Sequence, residues 1–246
     1  MSNCSFYQYL FCGFPYNKYH LYNSVYTILD QPIRAGPRVR SRSIDGVTSA
    51  VAASADFRRV VWPLAVAETL LWAGFYYMFP ALLAVWEKEF PWSKVEIVGA
   101  MTVSLLISAM LAPVAGRIID HGHGRTQFVA ASFLGALGLA YLSTVTELWE
   151  FYLAWGVLGV AMAGCLYEPC FAILTRVMGD KNRQAITVVT LVAGFAGTVC
   201  FPTVHTLEAI IGWRNVVLVF AGLAVFICIP LLMYALAHHG PEKQIP

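Results

Sequence analysis

Two glutamates stand where lipid-facing chemistry would make them expensive. Glu68 follows Arg59 by nine residues inside a long apolar stretch, and Glu168 precedes Arg176 by eight inside another. At about 1.5 Å of rise per residue, both lie roughly 12 to 14 Å from the basic end of their helices. A carboxylate at such depth must face the bundle interior or a wet cavity, where it can take up and release a proton. Two plainer roles stand beside this one. Glu68 is interfacial if its helix starts later, and Glu168 hydrogen-bonds a neighbouring helix.

Around the two acids, Trp72, Tyr76, Tyr77 and Tyr167 combine flat apolar area with polar tips, the mixture that lines an organic-solute cavity and also the mixture of ordinary interhelical packing. Pro80 and Pro169 lie close by. Each removes a helix hydrogen bond, which opens a kink or a free carbonyl whether or not solute reaches it. Six cysteines have neither disulfide spacing nor paired metal-ligand spacing, and His121 and His123 lack accompanying ligands, so no metal is expected. No cofactor loop, zinc-protease motif or nucleophile elbow occurs, and neither catalysis nor nucleic-acid binding is expected.

The elements that position these residues follow from composition. Of 246 residues, 59% are apolar and 12% charged, against about 45 to 50% and about 25% in soluble domains. The excess is concentrated in charge-free runs, among them Ile97–Gly116 and Asn215–Pro241, each long enough to cross a roughly 30 Å hydrocarbon layer. Six spans are expected: Val60–Trp86, Val95–Ile118, Thr126–Val145, Phe151–Leu174, Ala185–Leu207 and Trp213–Leu236. Only the first and fourth combine a carboxylate with a proline well inside the span.

Residues 1–59 differ in kind. Met1–Asp30 holds six of the twelve tyrosines, and Gln31–Arg59 is rich in Arg, Ser and Ala. They are expected to form an irregular cytoplasmic tail, whose arginines either touch anionic lipid or do nothing of their own. Placing both termini inside puts Arg58, Arg59, Arg117, Arg125, Arg176, Lys181, Arg183 and Lys243 on the cytoplasmic side and leaves Lys88, Lys94 and Arg214 outside, as the positive-inside rule asks. The setting is a cell membrane crossed several times.

A short internal repeat divides the spans. Ala73-Gly-Phe-Tyr-Tyr77, with Pro80 following, recurs as Ala163-Gly-Cys-Leu-Tyr167, with Pro169 following. The copies occupy equivalent positions of two three-helix units, the arrangement by which secondary transporters build a midplane site from discontinuous helices. Gly135, Gly138, Gly156, Gly159 and Gly164 are packing signals that let backbones approach.

Between the second and third spans runs Gly116-Arg-Ile-Ile-Asp120-His-Gly-His-Gly-Arg125. Asp120 is expected to bond helix-start amides or to pair with Arg117 or Arg125 as a cytoplasmic latch. The alternative is a tight turn whose glycines permit positive φ. This stretch resembles the Gly-x-x-x-Asp-Arg-x-Gly-Arg-Arg/Lys signature of the major facilitator superfamily, with Gly116, Asp120 and Arg125 in register and His121, His123 and Gly124 departing from it. Pro91-Trp92-Ser93-Lys94, Tyr167-Glu168-Pro169-Cys170 and Gly212-Trp213-Arg214 also look like that superfamily, broadly its bacterial monocarboxylate-type carriers. The arginine that many members place in the fourth span has no counterpart between Glu150 and Arg176.

The resemblance, over about Trp62–Ala237, implies an all-α transmembrane six-helix bundle made of two three-helix repeats, half of a twelve-helix fold. It also implies transport of a small organic solute, an organic anion being one class, by proton-coupled alternating access as part of a larger carrier. The partners expected are solute, protons, membrane lipid and a second six-helix domain, with residues 238–246 starting the central cytoplasmic loop. A non-transporting membrane partner or scaffold, or an inactive truncated carrier, is the competing expectation.

Overall fold

The computed structural model describes the backbone of residues 44–236 and the side chains of residues 57–236 apart from Asp180. The tyrosine-rich stretch, Arg34, Arg38, Arg40 and Arg42, and the expected loop 238–246 lie outside the described residues. The described chain from Thr48 to Leu236 belongs to one compact unit.

Among the described residues every regular element is helical, and the six expected spans are all present. The first comprises α1 (Ile44–Trp72), a wide π-helical turn at Ala73–Tyr77, and α2 (Met78–Glu89). The second is α3 (Lys94–Asp120) and the third α4 (Gly124–Leu142). The fourth is split into α5 (Leu148–Cys165) and α6 (Tyr167–Met178), and the fifth into α7 (Asn182–Ala193) and α8 (Ala196–Ile211). The sixth comprises α9 (Trp213–Leu223), a second π-helical turn at Ala224–Cys228, and α10 (Ile229–Leu236). Five spans are long and apolar enough to cross a membrane. The remaining one, α4, has 19 residues and opens on Arg125, Thr126 and Gln127, polar residues that dilute it.

One boundary is corrected. The first helix starts at Ile44, not Val60, so the last part of the expected irregular tail is helical. Val47–Asp56 contains no Gly or Pro and four alanines, so no residue there opposes helical continuation.

Where the helices deviate, a proline follows. Pro80 has no N–H to offer the carbonyl of Tyr76, and the π turn lies directly before it; Ala224–Cys228 likewise precedes Pro230. In the fourth span the chain breaks outright at Leu166, whose φ and ψ are −96° and −156°. Pro169 thereby falls in the first turn of α6, where a missing N–H costs nothing. Each copy of the internal repeat thus contains an interruption, a wide turn in one and a break in the other.

The fourth span is the centre of the bundle: 67% of the apolar window in Leu148–Met178 is buried, against 22% in Lys94–Asp120. Close approach depends on its small residues. A Cβ on Gly159 would lie 3.0 Å from Ser104 Cα and still nearer its carbonyl oxygen, and one on Gly164 would lie 2.5 Å from Ala131 Cβ. Gly156 has only an ordinary contact, 3.6 Å to Ile107. Gly159→Leu is therefore expected to destabilise the bundle by about 1 to 3 kcal/mol, because the obstruction is backbone and cannot rotate away. Thermal melting in detergent should drop for Gly159→Leu and stay near the parent for Gly156→Ala; equal melting of the two would contradict this packing.

Candidate functional site

The first and fourth spans bring the expected residues together. Trp72 lies 4.6 Å from Tyr167 between ring centroids, 5.4 Å from Tyr76 and 6.3 Å from Tyr77, and the two tyrosines of the first span are 5.3 Å apart. Tyr167 stacks in turn on Phe171 at 5.1 Å with the planes 12° apart. All five rings are half-buried. Phe171 went unnoticed in the sequence, although it stands one helical turn after Tyr167. The π turn is what lets Tyr76 and Tyr77 both reach Trp72, since its wider circumference brings consecutive side chains toward one face.

Glu68 sits behind this layer, one turn below Trp72, with 0% of its surface exposed. Neither carboxyl oxygen has a hydrogen-bond partner, and the Trp72 indole nitrogen is equally without one. Cys170 and Trp72 stand against the carboxyl, and Glu168 is within electrostatic reach. Burying a polar group unpaired costs about 1 to 3 kcal/mol, and an ionised one more, so this position is held against a stability cost. The interfacial alternative for Glu68 requires a later helix start, whereas the helix already begins at Ile44.

Glu168 is placed differently. It occupies the first turn of α6, where a carboxylate is favoured by the helix start, and its side chain is exposed. The two acids therefore differ in setting, Glu68 enclosed and Glu168 open to the surface. Pro169 is buried beside Glu168, while Pro80 is exposed. Buried thiols tie the wide turns to their neighbours: Cys200 donates to the Ala73 carbonyl at 3.3 Å and Cys228 approaches that of Ala67 at 3.8 Å. Among the described residues no group of three or more His, Cys, Asp or Glu side chains could hold a metal ion. A separate apolar groove of about 490 Å³, bordered by Leu111, Ile118, Leu134 and Val160, contains none of these site residues.

The loop motif at residues 116–125 forms a latch with a different partner from those expected. Asp120 Oδ1 accepts from Arg176 Nη2 at 2.5 Å, and Arg176 Nη1 donates to the Ile119 carbonyl at 2.6 Å. Arg117 and Arg125 are exposed and do not pair with Asp120. The correction has a geometric cause. Asp120 ends α3, so its carboxylate points along the bundle toward the end of α6, where Arg176 also meets the partial negative charge of the α3 C-terminus. The turn itself uses Gly122 at φ 80°, with His123 N donating to Ile118 O and Gly122 N to Ile119 O, a helix stop that only glycine enters easily. Gly116 has open space around its missing Cβ, so packing does not require it.

A second clamp, absent from the sequence expectations, closes the outer end. Arg214 pairs with Glu89, donates to the Val145 carbonyl at 3.0 Å and lies 4.4 Å from the Trp213 ring centre, while Trp213 also donates to Glu89. Trp86, Phe90, Trp92, Phe151 and Trp155 pack beneath and around it.

The family model described as Major Facilitator Superfamily matches residues 64–246. No curated protein matches the chain. Proteins of that family are membrane transporters, and the all-helical described chain, with five spans long and apolar enough to cross a membrane, is consistent with part of that fold. With the match covering most of its length, the chain belongs to the major facilitator superfamily.

Proposed function

We propose that this chain carries a small organic solute across the cell membrane by proton-coupled alternating access, with both termini in the cytoplasm, together with a second six-helix domain. The observation that carries the proposal is the wholly buried, unpartnered carboxyl of Glu68 behind a half-buried aromatic layer. Glu68 and Glu168 are the proton-coupling groups in this reading, and Trp72, Tyr76, Tyr77 and Tyr167 line the solute path. The groups facing Glu68 are Glu168 and Cys170, with Tyr167, Cys165 and Cys228 also in its field. None brings a positive charge, so the proton itself is the natural neutralising partner. Surrounding lipid supports the bundle, and no residue is assigned a catalytic role.

Flux into proteoliposomes tests this, with the chain reconstituted alone and with a second six-helix domain, over a series of imposed pH gradients. Solute-dependent proton movement is expected, and Glu168→Gln should lower it about tenfold or more while leaving membrane insertion intact. Absence of proton-dependent flux in both reconstitutions would leave a non-transporting membrane partner instead. Flux that ignores the Glu168 substitution across the pH series would remove that residue from the mechanism.

A further inference from the structure

The charges within the membrane layer are all of one sign near the site. Between Arg59 and Lys88, Lys94 and Arg117, Arg125 and Arg176, Arg183 and Arg214, and from Arg214 to Leu236, the one basic side chain is His205. It is exposed on the outer part of α8, with its ring 6.5 Å from Phe201, well above the depth of Glu68. Inside the same limits the acidic side chains are Glu68, Glu168 and those at the outer helix ends. Of these, Glu168 is exposed and next in the chain to Tyr167 of the aromatic layer, while Glu68 is enclosed.

At the low dielectric of this layer an anion would be repelled by the exposed Glu168 carboxylate, whereas a cation gains from it. The rings favour the same sign. Their faces are electron-rich, and an ammonium within about 6 Å of a ring centre is attracted to it, most strongly to tryptophan. Glu168 is exposed and follows Tyr167 directly in the chain, so a positive centre held on the Tyr167 ring has a carboxylate close by.

We infer that the site recognises a small organic cation, an ammonium on an apolar frame, with Trp72, Tyr76 and Tyr167 supplying ring faces and Glu168 the countercharge. This rests on the reading of the aromatic layer as the solute site, and it replaces the organic anion implied by the monocarboxylate-type resemblance.

Equilibrium binding to the full chain in lipid nanodiscs, at one fixed pH and corrected against empty discs, tests it with three matched probes: benzyltrimethylammonium, phenylacetate and benzyl alcohol. The ammonium is expected to bind at least about tenfold more tightly than phenylacetate. Glu168→Gln and Trp72→Leu should each weaken it about tenfold, while Trp72→Phe, which keeps a ring, should retain most of the affinity; thermal melting confirms that each variant is folded. Phenylacetate binding as well as the ammonium would overturn the inference. So would unchanged ammonium affinity in folded Glu168→Gln and Trp72→Leu, or no ammonium binding by a chain that melts cooperatively. Flux separates this from the carrier reading: binding of the ammonium without proton-coupled movement of any solute supports the cation site and rejects the carrier, whereas proton-coupled uptake of other solutes without ammonium binding rejects the cation site alone.

Discussion

Glu68→Gln should reduce proton-driven uptake by about a hundredfold or more while melting within a few degrees of the parent. Glutamine has nearly the same volume and fills the same closed pocket, but it neither takes up nor releases a proton. Glu68→Leu should go further and melt higher. It exchanges two buried oxygens that have no hydrogen-bond partner for a group that suits its surroundings of Leu64, Ala65 and Leu71, a gain of about 1 to 3 kcal/mol. Opposite signs for stability and transport at one residue distinguish a group kept for function from one kept for folding. Paired melting and flux measurements decide the matter, and a strongly destabilised Glu68→Leu would show that the carboxyl is supported by its neighbours after all.

The largest structural effect is expected at Arg214. Its guanidinium joins Glu89 at the end of the first span, the Val145 carbonyl beyond the third and the Trp213 ring at the start of the sixth. Arg214→Ala should cost about 2 to 3 kcal/mol, discounted from a fully buried pair because both partners are more than a third exposed. Arg214→Lys should recover only part of it, since a single ammonium cannot serve a carboxylate and a carbonyl in two directions at once. At the opposite end of the bundle Arg176→Ala is expected to cost less, about 1 kcal/mol, and to lose that difference in high salt, because Asp120 is 70% exposed. Melting of the two alanine variants at low and high salt checks both; equal losses would mean that the ends of the bundle are fastened alike.

The six spans were legible because lipid leaves little choice: every backbone polar group must be satisfied within a helix, so length and apolarity mark the element. The meeting of the rings was foreshadowed in part, since Tyr77 and Tyr167 occupy equivalent positions of the repeat, with Tyr76 inside the first copy and Trp72 directly before it. What remained hidden depended on helix phase and distance. Residues 68 and 168 are both a few turns from a basic residue, yet one is enclosed and the other exposed, because the break at Leu166 resets the direction of every side chain after it. The partner of Asp120 lies 56 residues away, beyond any local pattern, and the nearer arginines at 117 and 125 were the natural but mistaken choice. The helical start at Ile44 was obscured by a change of composition that marks the limit of the apolar layer, which a helix can outrun.

The outer helix ends carry a further consequence. In sequence, Glu87, Glu89, Glu96, Glu147 and Glu150 look like an acidic vestibule that would draw positive solutes in from outside. Each is already engaged: Glu87 with Lys94 and Glu89 with Arg214, while Glu96 and Glu150 fold back onto Ser93, Thr146 and Glu147 to close the starts of α3 and α5. Among the described residues only Glu87 and Glu89 of this group meet a basic partner; the hydrogen bonds of Glu96 and Glu150 hold their charge at the helix starts without cancelling it, so this end of the bundle stays acidic and should favour the approach of a positive solute over a negative one.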